Sequence, residues 1–294
     1  MRTAVVVFLV ILVAVGAVLV WRSPTEPLSG DLYVAVPMGL YVPYLQVVEK
    51  FQALHPDVEF SQMVDTPETM AAGVEENETK PDIFISPGGH EITVLVEKGF
   101  VDPDSLVAFG SYEVAVLVPA EDPGRVSKPE DLLNPDVKVI SFSYPDLTAA
   151  SHAARQALQN MGLWEELEPK IQYTGCCNES FQWIVDDRAE ANVQFLGCPL
   201  DPKTAEMSEK TKVKIACTLP RDTYYVPRNV AGILNTTKNR KLAKTFLEFL
   251  TSPEMLEFMA GSKMRNDQNL PLVPGPWGPE QEASPMRLRE VAGS

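Results

Sequence analysis

The stretch KPDIFISPGGH, residues 80–90, carries a short apolar run, Ile83 to Ile85, that stops on Ser-Pro-Gly-Gly and passes into a helix-like segment. A run of β-branched and aromatic residues closed by turn residues reads as a buried strand. The next residues, HEITVLVEKGF, have helical spacing and close on Gly99. Such a turn frees several backbone N–H groups at the carboxyl end of a strand, and the first turn of the helix frees more.

The same unit recurs on both sides. DLYVAVP reads as a strand, and Leu45, Val48, Phe51 and Leu54 then keep helical spacing until His55-Pro56-Asp57 breaks it. VEFSQMV is a second strand. The segment from Thr66 follows as a helix, with Thr66 at the N-cap and Pro67 at the first helical position. Further on come the strands EVAVLVP and VKVISFS, an alanine-rich helix over 146–162, the strand IQYTG, a helix through Phe181, Ile184 and Val185, and the strand ANVQFLG. KVKIACTL and DTYYVP read as two more strands, and NRKLAKTFLEFLTS and PEMLEFMAGSKM as closing helices. Strand-helix alternation predicts an α/β fold of mostly parallel sheets flanked by helices, with ligands outside the carboxyl ends of the strands.

The ends of the chain bear on compartment. From Ala4 to Trp21 the sequence is uncharged and apolar, between Arg2 and Arg22, and about 20 such residues span a bilayer. Residues 1–22 therefore read as a signal anchor or signal peptide. The closing Leu19, Val20, Trp21 and Arg22 lack the small residues of a cleavage site, which favours an uncleaved anchor with the remaining chain outside the cytoplasm. Residues 23–30 read as a linker, and the proline-rich 267–294 as a tail.

Formal charge is −15, from 25 basic and 40 acidic residues; without Arg2 and Arg22 it is 23 minus 40, or −17. That field repels a phosphate backbone, so nucleic acid is excluded as a partner. Four cysteines, Cys176, Cys177, Cys198 and Cys217, permit disulfides in an oxidising compartment, and their spacing is not that of a zinc site. The chain carries no G-x-S-x-G elbow, Walker loop or H-E-x-x-H motif. No cofactor is implied, and a cysteine nucleophile with His152 stays as the enzymatic alternative.

The order of F..LHPDVEF, a threonine-rich helix start, PDIFIS, a strand ending in VPA, LQNMGLW and AKTFLEFLTSPEMLEFM resembles the periplasmic molybdate-binding proteins of ABC importers. The likeness runs from about residue 31 to residue 265. It implies a two-lobed periplasmic-binding-protein fold of the type II group, with lobe 1 over 31–112 and 227–266, lobe 2 over 113–226, and the ligand cleft between them. It further implies a monomer that closes about a hinge near Gly110 to Glu113 and Val226 to Asn229 and passes a small oxyanion, molybdate or tungstate, to a membrane permease. Binders of sulfate, phosphate, iron and sugars share the architecture.

Carried over position by position, the family's anion-binding loops fall on Met38 and Gly39, on Thr69 beside Glu68, on Thr148 and Ala149, on Cys177 and Asn178, and on Phe195. Gly39 can offer an N–H where Pro37 cannot. Met38 and Phe195 replace a serine and a tyrosine hydroxyl of the family pattern, and a Glu68 carboxylate would repel an anion. Helix N-termini suit an oxyanion without lysine or arginine. The turn at Ser86 to Gly89 lies on the same rim, with a plain strand-to-helix turn as the alternative. By the same resemblance Cys177, or Cys176 in its place, comes near Cys198, which implies a disulfide. A soft-metal site on the cleft cysteines and an anchored sensory module are the other readings.

Overall fold

The computed structural model describes residues 28–145, 148–196 and 212–260. The first sheet contains β1 (Ser29–Pro37), β2 (Asp57–Asp65), β3 (Ile83–Pro87), β4 (Val107–Ser111) and β10 (Arg228–Ile233), in the order β2-β1-β3-β10-β4. The second contains β5 (Val114–Pro119), β6 (Ile140–Ser143), β7 (Ile171–Thr174), β8 (Ala191–Phe195) and β9 (Val213–Thr218), in the order β7-β6-β8-β5-β9. In each sheet one strand runs against the rest. β10 is antiparallel to β3 and β4, and β5 is antiparallel to β8 and β9, while β1 pairs parallel with β2 and β3, and β6 with β7 and β8. The sheets are mixed, and each lobe is mostly parallel only in strand direction.

Strand alternation assigns the two faces of the first sheet. Leu32, Val34, Val36, Ile83 and Ile85 pack with α1 (Tyr41–Leu54) and α7 (Arg240–Leu250), where Phe51 meets Phe60, Phe246 and Phe249 at centroid distances of 5.9, 5.2 and 5.3 Å. Ala35 and Phe84 face the other way, onto Met70 and Val74 of α2 (Pro67–Glu75) and Ile92 and Leu95 of α3 (His90–Glu97). In the second sheet Ile140, Phe142 and Val193 pack with α4 (Ala149–Asn160) and α5 (Trp164–Leu167). Ala115 and Leu117 lie against Ile184 of α6 (Cys177–Val185). The last described helix is α8 (Pro253–Ala260). One apolar cluster runs through both lobes, from Leu32 to Phe142 and Trp164, so the lobes share a core at their junction.

The chain crosses between sheets twice, at Tyr112–Glu113 and over 219–227. Leu219 N–H donates to the Val114 carbonyl at 2.8 Å, and Val114 N–H donates to the Tyr224 hydroxyl at 3.3 Å, tying the two crossings together. This corrects the reading of DTYYVP as a strand. Arg221–Thr223 is a 3-10 turn, and the residues after it have no strand partner because they bridge the sheets. The strand that follows is RNVAGI, buried along its whole length, and VAFGS forms β4. β1 begins at Ser29, two residues inside the span read as linker. Residues 1–22, the tail and Cys198 lie outside the described residues, and with Cys198 the implied disulfide. Among the described residues no helix is long and apolar enough to cross a membrane.

Candidate functional site

The turn that opened the sequence reading sits where the lobes meet. Gly88 and Gly89 have φ of +101° and +82°, a region that suits glycine. A Cβ on Gly88 would stand 2.7 Å from the Cβ of Ala149, at the start of α4 in the other lobe. Gly88 N–H donates to the Arg228 carbonyl at 2.7 Å, so that amide is spent within the first lobe. Gly88 thus allows close approach of the two lobes, whereas Pro87 and Glu91 nearby reach the cavity alongside.

That cavity, about 460 Å³, lies between the lobes. Four chain segments enter it at the start of a helical turn. Pro37 caps the 3-10 turn Met38–Leu40 that precedes α1, Thr66 to Thr69 open α2, Thr148 to Ala150 open α4, and Cys176 to Asn178 open α6. Met38, Gly39, Thr69, Thr148, Ala149, Cys177, Asn178 and Phe195 all line it, together with Leu40, Asp65, Ala72, Tyr112 and Gly175, which sequence reasoning did not single out.

Local chemistry fixes these openings. The Thr66 hydroxyl accepts from Thr69 N–H at 3.3 Å, with Pro67 in the first helical position, where its missing N–H costs nothing. The Thr148 hydroxyl accepts from Ser151 N–H at 3.2 Å and caps α4 in the same way. Beneath α6, the Thr174 hydroxyl donates to the Cys176 carbonyl at 3.1 Å and pairs with the Ser180 hydroxyl at 2.6 Å. Gly175 N–H donates to Glu179 at 2.8 Å. Across the cleft the Asn178 amide donates to the Met38 sulfur at 2.8 Å, joining the lobes directly. Tyr112, on the first crossing, has its ring 6.3 Å from that of Phe195.

Among the described residues no lysine, arginine or histidine lines the cavity, yet three acids do: Asp65, Glu68 and Glu91. Asp65 accepts from Thr66 N–H at 2.7 Å. Glu91 is buried, 6% exposed, and accepts from the Ser86 hydroxyl; burial pushes its carboxyl up, while Ser86 and His90 pull the other way. Glu68 is pushed up to about 8, first by burial and then by the Glu91 charge, with a smaller contribution from Cys177 across the cleft. Burial and Glu91 thus favour the uncharged acid of Glu68, which weakens the repulsion expected of a carboxylate there. The first-turn position of Glu91 gave no sequence signal, because acids are ordinary at helix starts.

What the arrangement offers is a set of helix starts from both lobes that border one space, where N–H groups lack intrahelical acceptors and those of Thr69 and Ser151 are already capped by threonine hydroxyls. Cys176 and Cys217 carry free thiols, and burial with Asp131 and Glu130 pushes Cys217 up to about 11, the reverse of what a nucleophile needs. Among the described residues no three His, Cys, Asp or Glu side chains come together to hold a metal ion, so the soft-metal reading finds no ligand set there.

Comparison with known proteins gives the same architecture. The putative ABC transporter substrate-binding lipoprotein YvgL of Bacillus subtilis (strain 168) is 24% identical over 176 residues, 60% of this chain and 64% of that protein. The molybdate-binding protein ModA of Rhodobacter capsulatus is 24% identical over 138 residues, 47% of this chain and 51% of that protein. The chain thus spans between half and two thirds of the length of these relatives. The periplasmic molybdate-binding protein of Azotobacter vinelandii, 19% identical, superposes with a TM-score of 0.66 over 82% of this chain and 99% of that one, which establishes the two-lobed α/β fold. The sequence profile described as bacterial extracellular solute-binding protein matches residues 32–262, well over half of the chain. The chain belongs to the bacterial extracellular solute-binding protein family.

Proposed function

We propose that this solute-binding protein captures a tetrahedral oxyanion, molybdate or tungstate, between its lobes and delivers it to the permease of an ABC importer. The observation that carries the reading is the convergence of four helical starts, two from each lobe, on a cavity with no basic side chain in its described wall. Backbone N–H groups and aligned peptide dipoles hold an anion without a counter-charge and are fixed before it arrives. Gly39, Ala149, Cys177 and Asn178 supply amides, and the Thr148 and Thr69 hydroxyls supplement them. Met38, Tyr112 and Phe195 exclude water rather than donate.

Closure turns on 110–113 and 226–229, where the two crossings join β4 and β10, Gly110 has φ of +104° and β10 is irregular between Arg228 and Val230. The anion draws the lobes together because each lobe supplies part of its shell. Residues 1–22 serve as a signal anchor or signal peptide and hold the monomer outside the cytoplasm, where the permease reads the closed state.

The full-length chain, solubilised in mild detergent, tests this in a thermal-denaturation panel of molybdate, tungstate, sulfate, phosphate and divalent metals. At about 100 times Kd a native-state ligand adds about 2.7 kcal/mol of stability. Stabilisation by molybdate or tungstate above the other anions is the expected result. Stabilisation by metals alone refutes it.

A further inference from the structure

We propose that Glu68 is a specificity-determining residue of the cleft that meets the ligand as a carboxylic acid, so that one proton is captured together with the oxyanion. The inference rests on the oxyanion reading of the same cavity. Its basis is placement: Glu68 occupies the second position of α2, a half-buried position between an N-cap threonine and the cavity, where a helix start ordinarily stabilises a carboxylate. Here a second carboxyl, Glu91 of α3, lines the same space and is held by Ser86.

The groups around Glu68 come from every side of the cleft. Burial raises its pKa most, Glu91 of α3 raises it further, the Thr66 hydroxyl at the N-cap of its own helix bonds to it and lowers it, and Cys177 of α6 in the other lobe raises it slightly. Asp65 at the end of β2 and Tyr112 on the first crossing line the same cavity, and His90 acts on Glu91. No basic side chain of the described wall offsets the two acids. A fully deprotonated oxyanion has only acceptors, and it adds negative charge beside them. The acid form of Glu68 donates O–H to such an oxygen, whereas the carboxylate form repels it.

Linkage then makes the coupling reciprocal: the anion raises the proton affinity of Glu68 by the factor by which the proton raises anion affinity. With Glu68 pushed up to about 8 and the anion bound by its acid form alone, anion affinity is expected to fall about tenfold between pH 7 and pH 9, with about 0.9 proton taken up per anion near pH 9. An anion that carries its own proton needs less of this help and is discriminated against less as pH rises.

The test is calorimetric titration of the full-length chain in mild detergent with molybdate, and with sulfate as a second non-titrating anion. It is run at about pH 6, 7 and 9, in buffers of different ionisation enthalpy. The expected results are the tenfold fall in affinity, proton uptake approaching one per anion near pH 9, and neither effect in Glu68→Gln. Binding of wild type with pH-independent affinity and no proton uptake overturns the inference and leaves the oxyanion reading standing. Retention of uptake in Glu68→Gln overturns the assignment to Glu68. Absence of anion binding even at pH 6 overturns the oxyanion reading and this inference with it. The wild-type uptake decides the matter if Glu68→Gln fails to fold.

Discussion

Replacing Gly88 by alanine tests whether the Pro-Gly-Gly turn exists to let the lobes meet. Two costs arise. At φ +101° an L-residue is strained by roughly 1–2 kcal/mol, and a Cβ placed 2.7 Å from that of Ala149 must be relieved by moving backbone, since neither methyl can rotate away. Overpacking of this kind costs roughly 1–3 kcal/mol, so Gly88→Ala is expected to lose about 2–5 kcal/mol in total. Gly99→Ala is the control, because Gly99 has φ +77° and nothing within 4 Å of its hypothetical Cβ; it loses the strain part alone, about 1–2 kcal/mol. Urea unfolding of the detergent-solubilised chain gives both numbers. The contact part is isolated by a double-mutant cycle with Ala149→Gly, which removes the opposing methyl and is expected to recover about 1 kcal/mol or more beyond additivity. A Gly88→Ala loss equal to that of Gly99→Ala, with additive behaviour toward Ala149→Gly, refutes the reasoning and makes the turn an ordinary strand-helix connection.

Glu68 leaves a mark on stability as well as on binding. Because its folded carboxyl titrates near 8, above the usual carboxylate range, the fold binds a proton the unfolded chain releases. Stability then falls as pH rises from about 4.5 to about 8 and levels off above. The full shift would be worth at most about 5 kcal/mol, roughly half of that after screening and coupling with Glu91, and chemical unfolding across this range should show the decline shrink in Glu68→Gln. Thr148→Ala removes the hydroxyl that accepts from Ser151 N–H, and about 1 kcal/mol of stability with it, measured by urea unfolding; an unchanged midpoint would show that the cap contributes nothing. The excess of acidic residues slows the approach of any anion, so stopped-flow association of molybdate is expected to quicken as salt rises from about 10 to about 150 mM. The opposite slope would point to a local positive field at the cleft.

Most of the architecture could be read from periodicity. DIFIS alternates so that Ile83 and Ile85 enter one core and Phe84 the other, and Thr66-Pro67 announces the start of α2. The readings that failed involve residues whose role is set by distant partners. DTYYVP has the aromatic and β-branched residues of a strand, but Tyr224 uses its hydroxyl on Val114 N–H in a crossing between sheets. RNVAGI hides a fully buried strand behind Arg228, Asn229 and Gly232. Gly232 is small because Leu106 and Val101 atoms would lie 2.8 Å from a Cβ there, a contact no local pattern encodes. In the cleft, family resemblance pointed to loops that line the cavity, whereas the Glu68–Glu91 coupling depends on two helices brought together only by the fold. The opening turn shows the same limit: its amides looked free, yet Gly88 donates to Arg228 on a strand from the far end of the chain.

The most direct measurement is a crystal structure of the protein grown with molybdate, with data collected at the molybdenum absorption edge. The account predicts one anomalous peak in the cleft, with oxygens about 2.7–3.1 Å from donors of both lobes, the Gly39 amide and Thr69 hydroxyl on one side and the Ala149 and Cys177 amides on the other. It also predicts one oxygen at hydrogen-bond distance from Glu68. A cleft without molybdenum, or molybdenum held only by lysine and arginine side chains on the surface, would contradict it.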